Sequence, residues 1–229
     1  MKEYPEIATE RFDKASLHIN YCLNFFKKFI KGDILEVGAG CGSFTKFYAG
    51  KFQSITLTEL DEKNFIDLKK KFNHKENIKI SNYSIENFDK NFDTIMYLHV
   101  LEHINDDMQE LKKASENLKD NGHLIIMVPA HQKIYSNLDK AVGHFRRYEK
   151  QFFSKDLLGL KRVKFISLDS LGYFLYFLNK IFYKDEIYPS NFKIFLWDKI
   201  FTPITILIDF LLMYRFGKCF VAVYKKINK

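Results

Sequence analysis

The feature that most constrains the fold is a short apolar strand followed directly by a glycine-rich loop. Residues 34–37 (ILEV) form the predicted strand, and Gly38, Gly40 and Gly42 come after it. Glycines in this place let the backbone approach a ligand without an intervening side chain. A dinucleotide fingerprint would read G-x-G-x-x-G, and here the third glycine comes one position early. The loop therefore predicts a nucleotide-like ligand at the end of this strand.

Strand and helix patterns then alternate along the chain. A leading helical segment is predicted over residues 1–32. Strands are predicted over 54–59, 78–81, 92–98 and 123–128, with helices over 62–72 and 105–118. This alternation predicts an α/β protein with a parallel, doubly wound sheet.

The chain after residue 128 follows a different pattern. Residues 129–150 lack periodicity, and a loop of this length in a compact domain is usually functional. A helix from Gln151 and strands over 163–168 and 220–224 are predicted beyond it. Between these two strands, residues 172–216 carry many aromatic side chains, which predicts a helical segment packed on the sheet. We call residues 172–216 the cap.

Length and composition narrow the class of protein. The 229 residues are 47% hydrophobic and 28% charged, which excludes a disordered chain and fits a single domain over residues 1–229. The net charge of +8 permits an anionic partner without requiring one. Cys22, Cys41 and Cys219 show no ligand spacing, so we expect neither a disulfide framework nor a metal site.

Two segments bear on location. The amino-terminal residues lack the apolar stretch of a secretory signal, so we expect a cytoplasmic protein. Residues 200–214 are the most apolar stretch, but they are shorter than a bilayer span and include Pro203 and Asp209. Peripheral contact with the inner face of the membrane stays open.

Residues 34–45 resemble motif I of the class I S-adenosylmethionine-dependent methyltransferases, whose E/D-x-G-x-G-x-G loop wraps the amino-acid end of the cofactor. Asp93 and residues 101–104 (LEHI) match the sequence that recurs at this family's fourth strand. The resemblance covers residues 23–128. It implies a Rossmann-like, mostly parallel sheet of seven strands whose last strand is antiparallel, with the cap inserted before it.

The same resemblance implies the residues that bind S-adenosylmethionine. An acid at the end of the second strand accepts hydrogen bonds from both ribose hydroxyls, and Glu59 occupies that position. Leu60 is then expected against the adenine, and Leu98 beside the methionine part. The complete expected set is Glu36, Gly38, Ala39, Gly40, Gly42, Glu59, Leu60, Tyr83, Ser84 and Leu98.

The loop after residue 128 carries the predicted acceptor chemistry. A hydroxyl that attacks a methyl group must lose its proton, and histidine is the side chain best suited to take it near neutral pH. We predict His144 as this base, Asp139 as the group that orients it, and His131 as the competing base. Arginines can hold a substrate anion through paired hydrogen bonds. The predicted substrate-binding residues are Arg146, Arg147 and Tyr148.

The class of acceptor is narrowed but not fixed. The pattern D-x-x-x-G-H-x-R-R-Y over residues 139–148 resembles one in methyltransferases associated with bacterial glycan or glycolipid assembly, which favours a small-molecule, sugar or lipid-linked hydroxyl. The LEHI sequence also resembles quinone-pathway O-methyltransferases, so a quinone-like aromatic alcohol stays open. Nucleic acid is disfavoured, because residues 97–100 (YLHV) replace the N/D-P-P-Y/F motif of base-amino methyltransferases. Methylation of RNA or protein, a non-catalytic cofactor-binding subunit, and any oligomeric state remain alternatives.

Overall fold

The structure is a computed structural model that describes residues 12–88, 91–182 and 190–227. Residues 1–11 of the predicted leading segment and residues 183–189 of the cap lie outside the described residues. The strands are β1 (Asp33–Val37), β2 (Ser54–Thr58), β3 (Ile78–Ser81), β4 (Phe92–Leu98), β5 (Leu118–Pro129), β6 (Asp156–Leu157), β7 (Leu160–Leu168) and β8 (Cys219–Lys226). The α-helices are α1 (Ser16–Asn24), α2 (Thr45–Tyr48), α3 (Glu62–Phe72), α4 (Asp107–Glu116), α5 (Asn137–Ala141), α6 (Ser170–Phe182), α7 (Asn191–Leu196) and α8 (Thr202–Leu211).

The strands form one sheet in the order β3-β2-β1-β4-β5-β8-β7-β6. Strands β1 to β5 are parallel to one another, and β8 is antiparallel to both β5 and β7. The predicted α/β class and the mostly parallel sheet with an antiparallel last strand are confirmed. The described residues contain eight strands, one more than predicted.

The additional strand, β6, replaces the helix predicted from Gln151. Only a 3₁₀ turn, Lys150–Phe152, forms there. The chain then turns back through Leu158 and Gly159, which both have positive φ, so that β6 pairs with β7 as a hairpin. Phe153, which precedes the hairpin, is buried in the core. The tight turn and this burial explain why the segment forms a hairpin in place of a helix.

Two apolar cores lie on opposite faces of the sheet, because side chains alternate along each strand. Ile34 of β1 belongs to one core and Leu35 to the other. Leu68 and Phe72 of α3 pack in the first core, while Leu111 of α4 packs in the second. Helices on both faces therefore cover the central strands, and most residues of β1 and β4 are buried, as expected for a doubly wound sheet.

The topology brings three segments, two loops and the helical cap, to one edge of the sheet. The parallel strands β1, β2, β4 and β5 all end at this edge. Leu168, at the end of β7, and Pro129, at the end of β5, both pair with Cys219, the first residue of β8. The helices of the cap lie between β7 and β8. The glycine loop, the loop after β5 and the cap therefore meet at the carboxyl ends of the strands, where ligands bind in this class of sheet.

Candidate active site

The glycine loop connects β1 to α2, and its three glycines all have positive φ. A Cβ at Gly38 would lie 2.8 Å from a methyl group of Val100, and one at Gly42 would lie 2.4 Å from the ring of Phe72. These two glycines are therefore required by the close packing of the protein itself. Gly40 differs, because its backbone N–H donates a hydrogen bond to Oε2 of Glu59 at 2.7 Å.

Glu59 follows β2 and lies against the glycine loop. Its second oxygen, Oε1, accepts a hydrogen bond from the N–H of Asp61 at 2.9 Å. Burial raises the pKa of Glu59, although these two backbone hydrogen bonds oppose the change. The predicted ribose-binding acid is thus held at the loop, on the neighbouring strand.

Exposed apolar groups flank this acid. The N–H of Glu59 donates to the carbonyl of Ser81, so the segments that follow β2 and β3 lie side by side. Leu60 is 52% exposed and Tyr83 is 57% exposed. The hydroxyl of Ser84 hydrogen-bonds to the side chain of Asn87, and Leu98 is buried at the end of β4. The structure therefore gathers the predicted adenosine-binding residues at the ends of β2 and β3.

Glu36 is directed away from the exposed part of the loop. Its carboxylate is buried and accepts hydrogen bonds from the hydroxyls of Thr45 and Tyr48 in α2. Burial raises the pKa of Glu36 to about 7, while these hydrogen bonds act in the opposite direction. In this position Glu36 fixes α2 beneath the loop, and its predicted contact with the cofactor stays a prediction.

Asp139 and His144 form a pair in the loop after β5. Nδ1 of His144 lies 2.8 Å from Oδ1 of Asp139. Oδ2 of Asp139 accepts hydrogen bonds from Ser136 and from the hydroxyl of Tyr176 in α6. Burial raises the pKa of Asp139, but the hydrogen bonds and charges of His144 and Arg147 outweigh it and hold the pKa well below its usual range. Asp139 therefore carries a negative charge against the imidazole.

The three predicted substrate-binding residues are all engaged with the protein. Arg147 is buried, donates to Asp139 at 2.9 Å, and stacks on the ring of Tyr176. The hydroxyl of Tyr148 donates to Asp107, and Arg146 forms an ion pair with the same carboxylate. Arg147 and Tyr148 thus fix the loop to the domain, and their predicted contacts with a substrate stay a prediction. Arg146 is partly exposed, and its contact with a substrate stays a prediction.

His131, the competing base, lies in an aromatic environment. It stacks on Phe216 and meets the rings of Tyr173 and Phe220 edge-on. Its Nδ1 is 3.7 Å from a carboxylate oxygen of Glu149. Burial lowers the pKa of His131 despite the charge of Glu149, so the imidazole is neutral near pH 7. The structure does not pair His131 with Asp139.

A second histidine group was not singled out from the sequence. Glu102 is completely buried, and Nδ1 of His99 and Nε2 of His144 lie 3.3 and 3.9 Å from its Oε1. The rings of His103 and His144 are in edge contact. Glu102, His103 and His144 each offer a ligand atom within 4.8 Å of the others, so this group could hold a metal ion. His144 lies about 40 residues further along the chain than His103, so only the LEHI sequence could have indicated the group.

Comparison with known proteins assigns the chain to a family. A family model described as a methyltransferase domain matches residues 8–171, which is most of the chain. A curated relative, (S)-coclaurine N-methyltransferase of Papaver somniferum, is 29% identical over 107 residues. That match covers 44% of this chain and 30% of the relative, so the chain spans less than a third of the relative's length.

Solved structures show the same fold at low sequence identity. N-methyltransferase NodS from Bradyrhizobium japonicum WM9, in complex with S-adenosyl-L-homocysteine, has a TM-score of 0.56 at 15% identity, over 98% of this chain and 90% of that chain. Coclaurine N-methyltransferase bound to N-methylheliamine and S-adenosyl-L-homocysteine has a TM-score of 0.61 at 14% identity, over 91% and 72% of the two chains.

The chain belongs to the methyltransferase domain family. Solved methyltransferase structures in complex with S-adenosyl-L-homocysteine share its fold, and S-adenosylmethionine is the cofactor that the sequence resemblance implies. The residues present fit this cofactor. The glycine loop at Gly40 lies beside the carboxylate of Glu59, and the exposed side chains of Leu60 and Tyr83 offer apolar surface for a base.

Proposed function

We propose that the protein methylates a hydroxyl group of a small-molecule, sugar or lipid-linked acceptor, with His144 as the general base. The observation that carries this proposal is the 2.8 Å contact between Nδ1 of His144 and the buried carboxylate of Asp139. An acid held in this way against an imidazole orients the ring and stabilises its protonated form. When bound, S-adenosylmethionine supplies an electrophilic methyl group.

The protonation states of this pair suit proton removal from an alcohol. The ionised carboxylate of Asp139 favours the tautomer in which Nδ1 of His144 carries the proton and donates it. Nε2 is then free of a proton and can accept one from an attacking hydroxyl. Asp139 stabilises the imidazolium that forms, because the pair gains a full ionic interaction.

The loop holds His144 in position through hydrogen bonds of its backbone N–H and carbonyl groups and of the next residue, Phe145. The backbone N–H of His144 donates to the carbonyl of Asp139, and the hydroxyl of Tyr135 donates to the carbonyl of His144. The N–H of Phe145 donates to the carbonyl of Glu102, directly after β4. A base fixed in this way needs little reorganisation when the acceptor binds.

The acceptor class is supported by the sequence pattern around this base. The D-x-x-x-G-H-x-R-R-Y pattern, which resembles methyltransferases associated with glycan or glycolipid assembly, contains both Asp139 and His144. The side chain of His144 is 14% exposed, so a hydroxyl would reach it in a largely dry site. Exclusion of water favours transfer to the acceptor over loss of the methyl group to solvent.

An amine acceptor is the second candidate. The curated relative and two of the matched structures are named as N-methyltransferases. A neutral amine attacks a methyl group without prior loss of a proton, so this reaction has no absolute need for a base. Removal of His144 would then affect turnover much less than it would for an alcohol.

The acceptor class can be identified by transfer of a labelled methyl group from S-adenosylmethionine into fractionated cell material. The fractions are RNA, protein, lipid, polysaccharide and small sugar nucleotides. We expect label in a glycan, sugar-nucleotide or lipid fraction. Label in RNA or protein would contradict the proposal, and label on the nitrogen of an amine would establish the second candidate.

The role of His144 can be tested once labelled product is found. We expect His144→Ala to lower turnover by about 10²–10⁴-fold, with the affinity for S-adenosylmethionine unchanged, because general base catalysis contributes about this much. His74→Ala, at an exposed position after α3, is the matched control and should keep wild-type turnover. If His131→Ala lowers turnover and His144→Ala does not, His131 is the base.

A further inference from the structure

Helix α8 has its polar face turned inward and its apolar face turned outward. Thr202, Thr205 and Asp209 are buried, although they are the polar residues of this helix. Ile204, Leu207 and Leu211 lie on the opposite side and are exposed. An amphipathic helix at the surface of a protein in water normally shows the reverse arrangement. The orientation of α8 therefore indicates an apolar environment on its outer side.

The inward orientation is fixed by specific hydrogen bonds. The carboxylate of Asp209 accepts hydrogen bonds from the hydroxyl of Tyr21 and from the backbone N–H groups of Asp169 and Ser170. A buried carboxylate with these donors cannot be turned to solvent without loss of all of them. The hydrogen bonds of Asp209 thus hold the polar side of α8 inward, and its apolar side is exposed as a consequence.

The exposed apolar surface extends beyond α8 to α7 and to the residues after α8. Six large side chains in this part of the cap are more than half exposed, and we call them the apolar face: Phe192, Phe195, Leu207, Phe210, Leu211 and Met213. A group of this size, concentrated in a short segment, marks an interaction surface.

Among the residues of the cap that the structure describes, the exposed charges of α7 and of the segments after it are of one sign. Asp198 and Asp209, the acids of the described part of the cap, are both buried. Lys193, Lys199 and Arg215 are exposed. A surface that combines bulky apolar groups with basic groups, and buries its acids, complements the boundary of an anionic bilayer.

The position of the cap at the edge of the sheet and the length of its helices are also compatible with contact at a membrane surface. Its helices begin and end at the edge of the sheet that carries the candidate active site, between β7 and β8. Within the described ranges, no helix combines the length and apolar character that a membrane crossing requires. If this surface lies on a membrane, the acceptor side of the site is close to the lipid headgroups.

We infer that the apolar face docks the protein on the surface of an anionic lipid bilayer. Phe210, Leu211 and their neighbours enter the boundary between headgroups and acyl chains, while Lys193 and Arg215 contact anionic headgroups. Lys199 already pairs with the buried carboxylate of Asp198 at 2.8 Å. The inference goes beyond the proposed methyl transfer, because the docking requires neither an acceptor nor turnover. Its failure is therefore distinguishable from failure of the proposed function.

The test is flotation of the full chain with vesicles of phosphatidylcholine, prepared with and without phosphatidylglycerol. We expect the wild-type chain to bind the anionic vesicles, and the Phe210→Glu/Leu211→Glu variant to bind at least about tenfold more weakly. Ile66→Glu and Val163→Glu are matched controls, since both positions are exposed and lie outside the cap. These two variants should bind as the wild type does. A melting temperature for each variant verifies that its fold is intact.

Three results would overturn the inference. The first is a wild-type chain that binds neither type of vesicle, or binds both equally. The second is a double variant that binds anionic vesicles as well as the controls do. The third is a dimer that is present without lipid, that the double variant disperses, and that does not float with vesicles; this result would assign the apolar face to a second copy of the chain.

Discussion

On the cofactor side of the site, the predicted residues lie within a few positions of a strand end, whereas on the acceptor side they share one loop and depend on partners from distant elements. Gly40 and Glu59 follow β1 and β2, which are neighbours in the sheet, and they meet through one backbone hydrogen bond. Asp139 instead contacts Tyr176, which is 37 residues away in α6.

The difference shows what each side depends on. The cofactor side uses backbone geometry, which a glycine loop after a strand already specifies. The acceptor side uses a buried cluster of charged and hydrogen-bonded side chains, whose partners are brought together only by the loop and the cap. Substitutions in the acceptor-side cluster should therefore affect stability as well as turnover, whereas substitutions at Gly40 and Tyr83 on the cofactor side should mainly affect binding.

The largest effect is expected at Asp139. Asp139→Asn removes the negative charge and leaves the guanidinium of Arg147 buried without its counter-charge. Loss of one partner from a buried ion pair costs about 3–5 kcal/mol of the free energy of unfolding. Chemical denaturation of the two proteins measures the loss. A loss below about 1 kcal/mol would mean that the cluster is not what holds the loop.

The pH dependence and a control sharpen this test. Because the pKa of Asp139 is held below its usual value, its stabilising effect is present above about pH 4 and is lost as the pH falls below that value. The difference between wild type and Asp139→Asn should therefore shrink in acid. Glu149→Gln, in the same loop but half exposed, should change stability by less than about 1 kcal/mol.

The second effect is expected at Gly40. Its backbone has a φ of +56°, which side chains rarely adopt, and its N–H donates to the carboxylate of Glu59. We expect Gly40→Val to weaken the binding of S-adenosylmethionine by at least about 100-fold, or about 2.8 kcal/mol, with the melting temperature little changed. Calorimetric titration measures the affinity. Gly50→Ala is the control, because a Cβ there meets no atom within 4 Å; retained binding in Gly40→Val would move the cofactor away from this loop.

The smallest of these effects is expected at Tyr83. Its exposed ring is predicted to lie near the adenine, and aromatic contacts of a base contribute about 1–3 kcal/mol. Tyr83→Ala should weaken S-adenosylmethionine binding about tenfold, while Tyr83→Phe should keep most of the affinity. Equal affinity in all three proteins would show that the adenine lies elsewhere. We expect neither substitution at Tyr83 to change the stability of the acceptor side.

The sequence predicted the sheet and the cofactor side more fully than the acceptor side. Strand β4 has the bounds that its apolar pattern indicates, because a strand that is almost entirely buried tolerates little else. Strand β3, at the edge of the sheet, also has its predicted bounds although it is only partly buried. Arg147 was expected to face a substrate, and it is instead buried against Asp139. Nothing in the local pattern shows which of two adjacent arginines turns inward, since the acids that select them, Asp139 and Asp107, come from different elements.

The cap is a second region that the sequence predicted only in part. Its aromatic residues predicted a segment packed on the sheet, yet the apolar face is exposed. The amino-acid sequence by itself determined the strand, loop and helix order, the conformational freedom at Gly40, and the presence of histidine and acid in one loop. Only the tertiary structure decided which side of α8 is buried, because a carboxylate such as Asp209 can leave water only where donors from Tyr21, Asp169 and Ser170 converge on it.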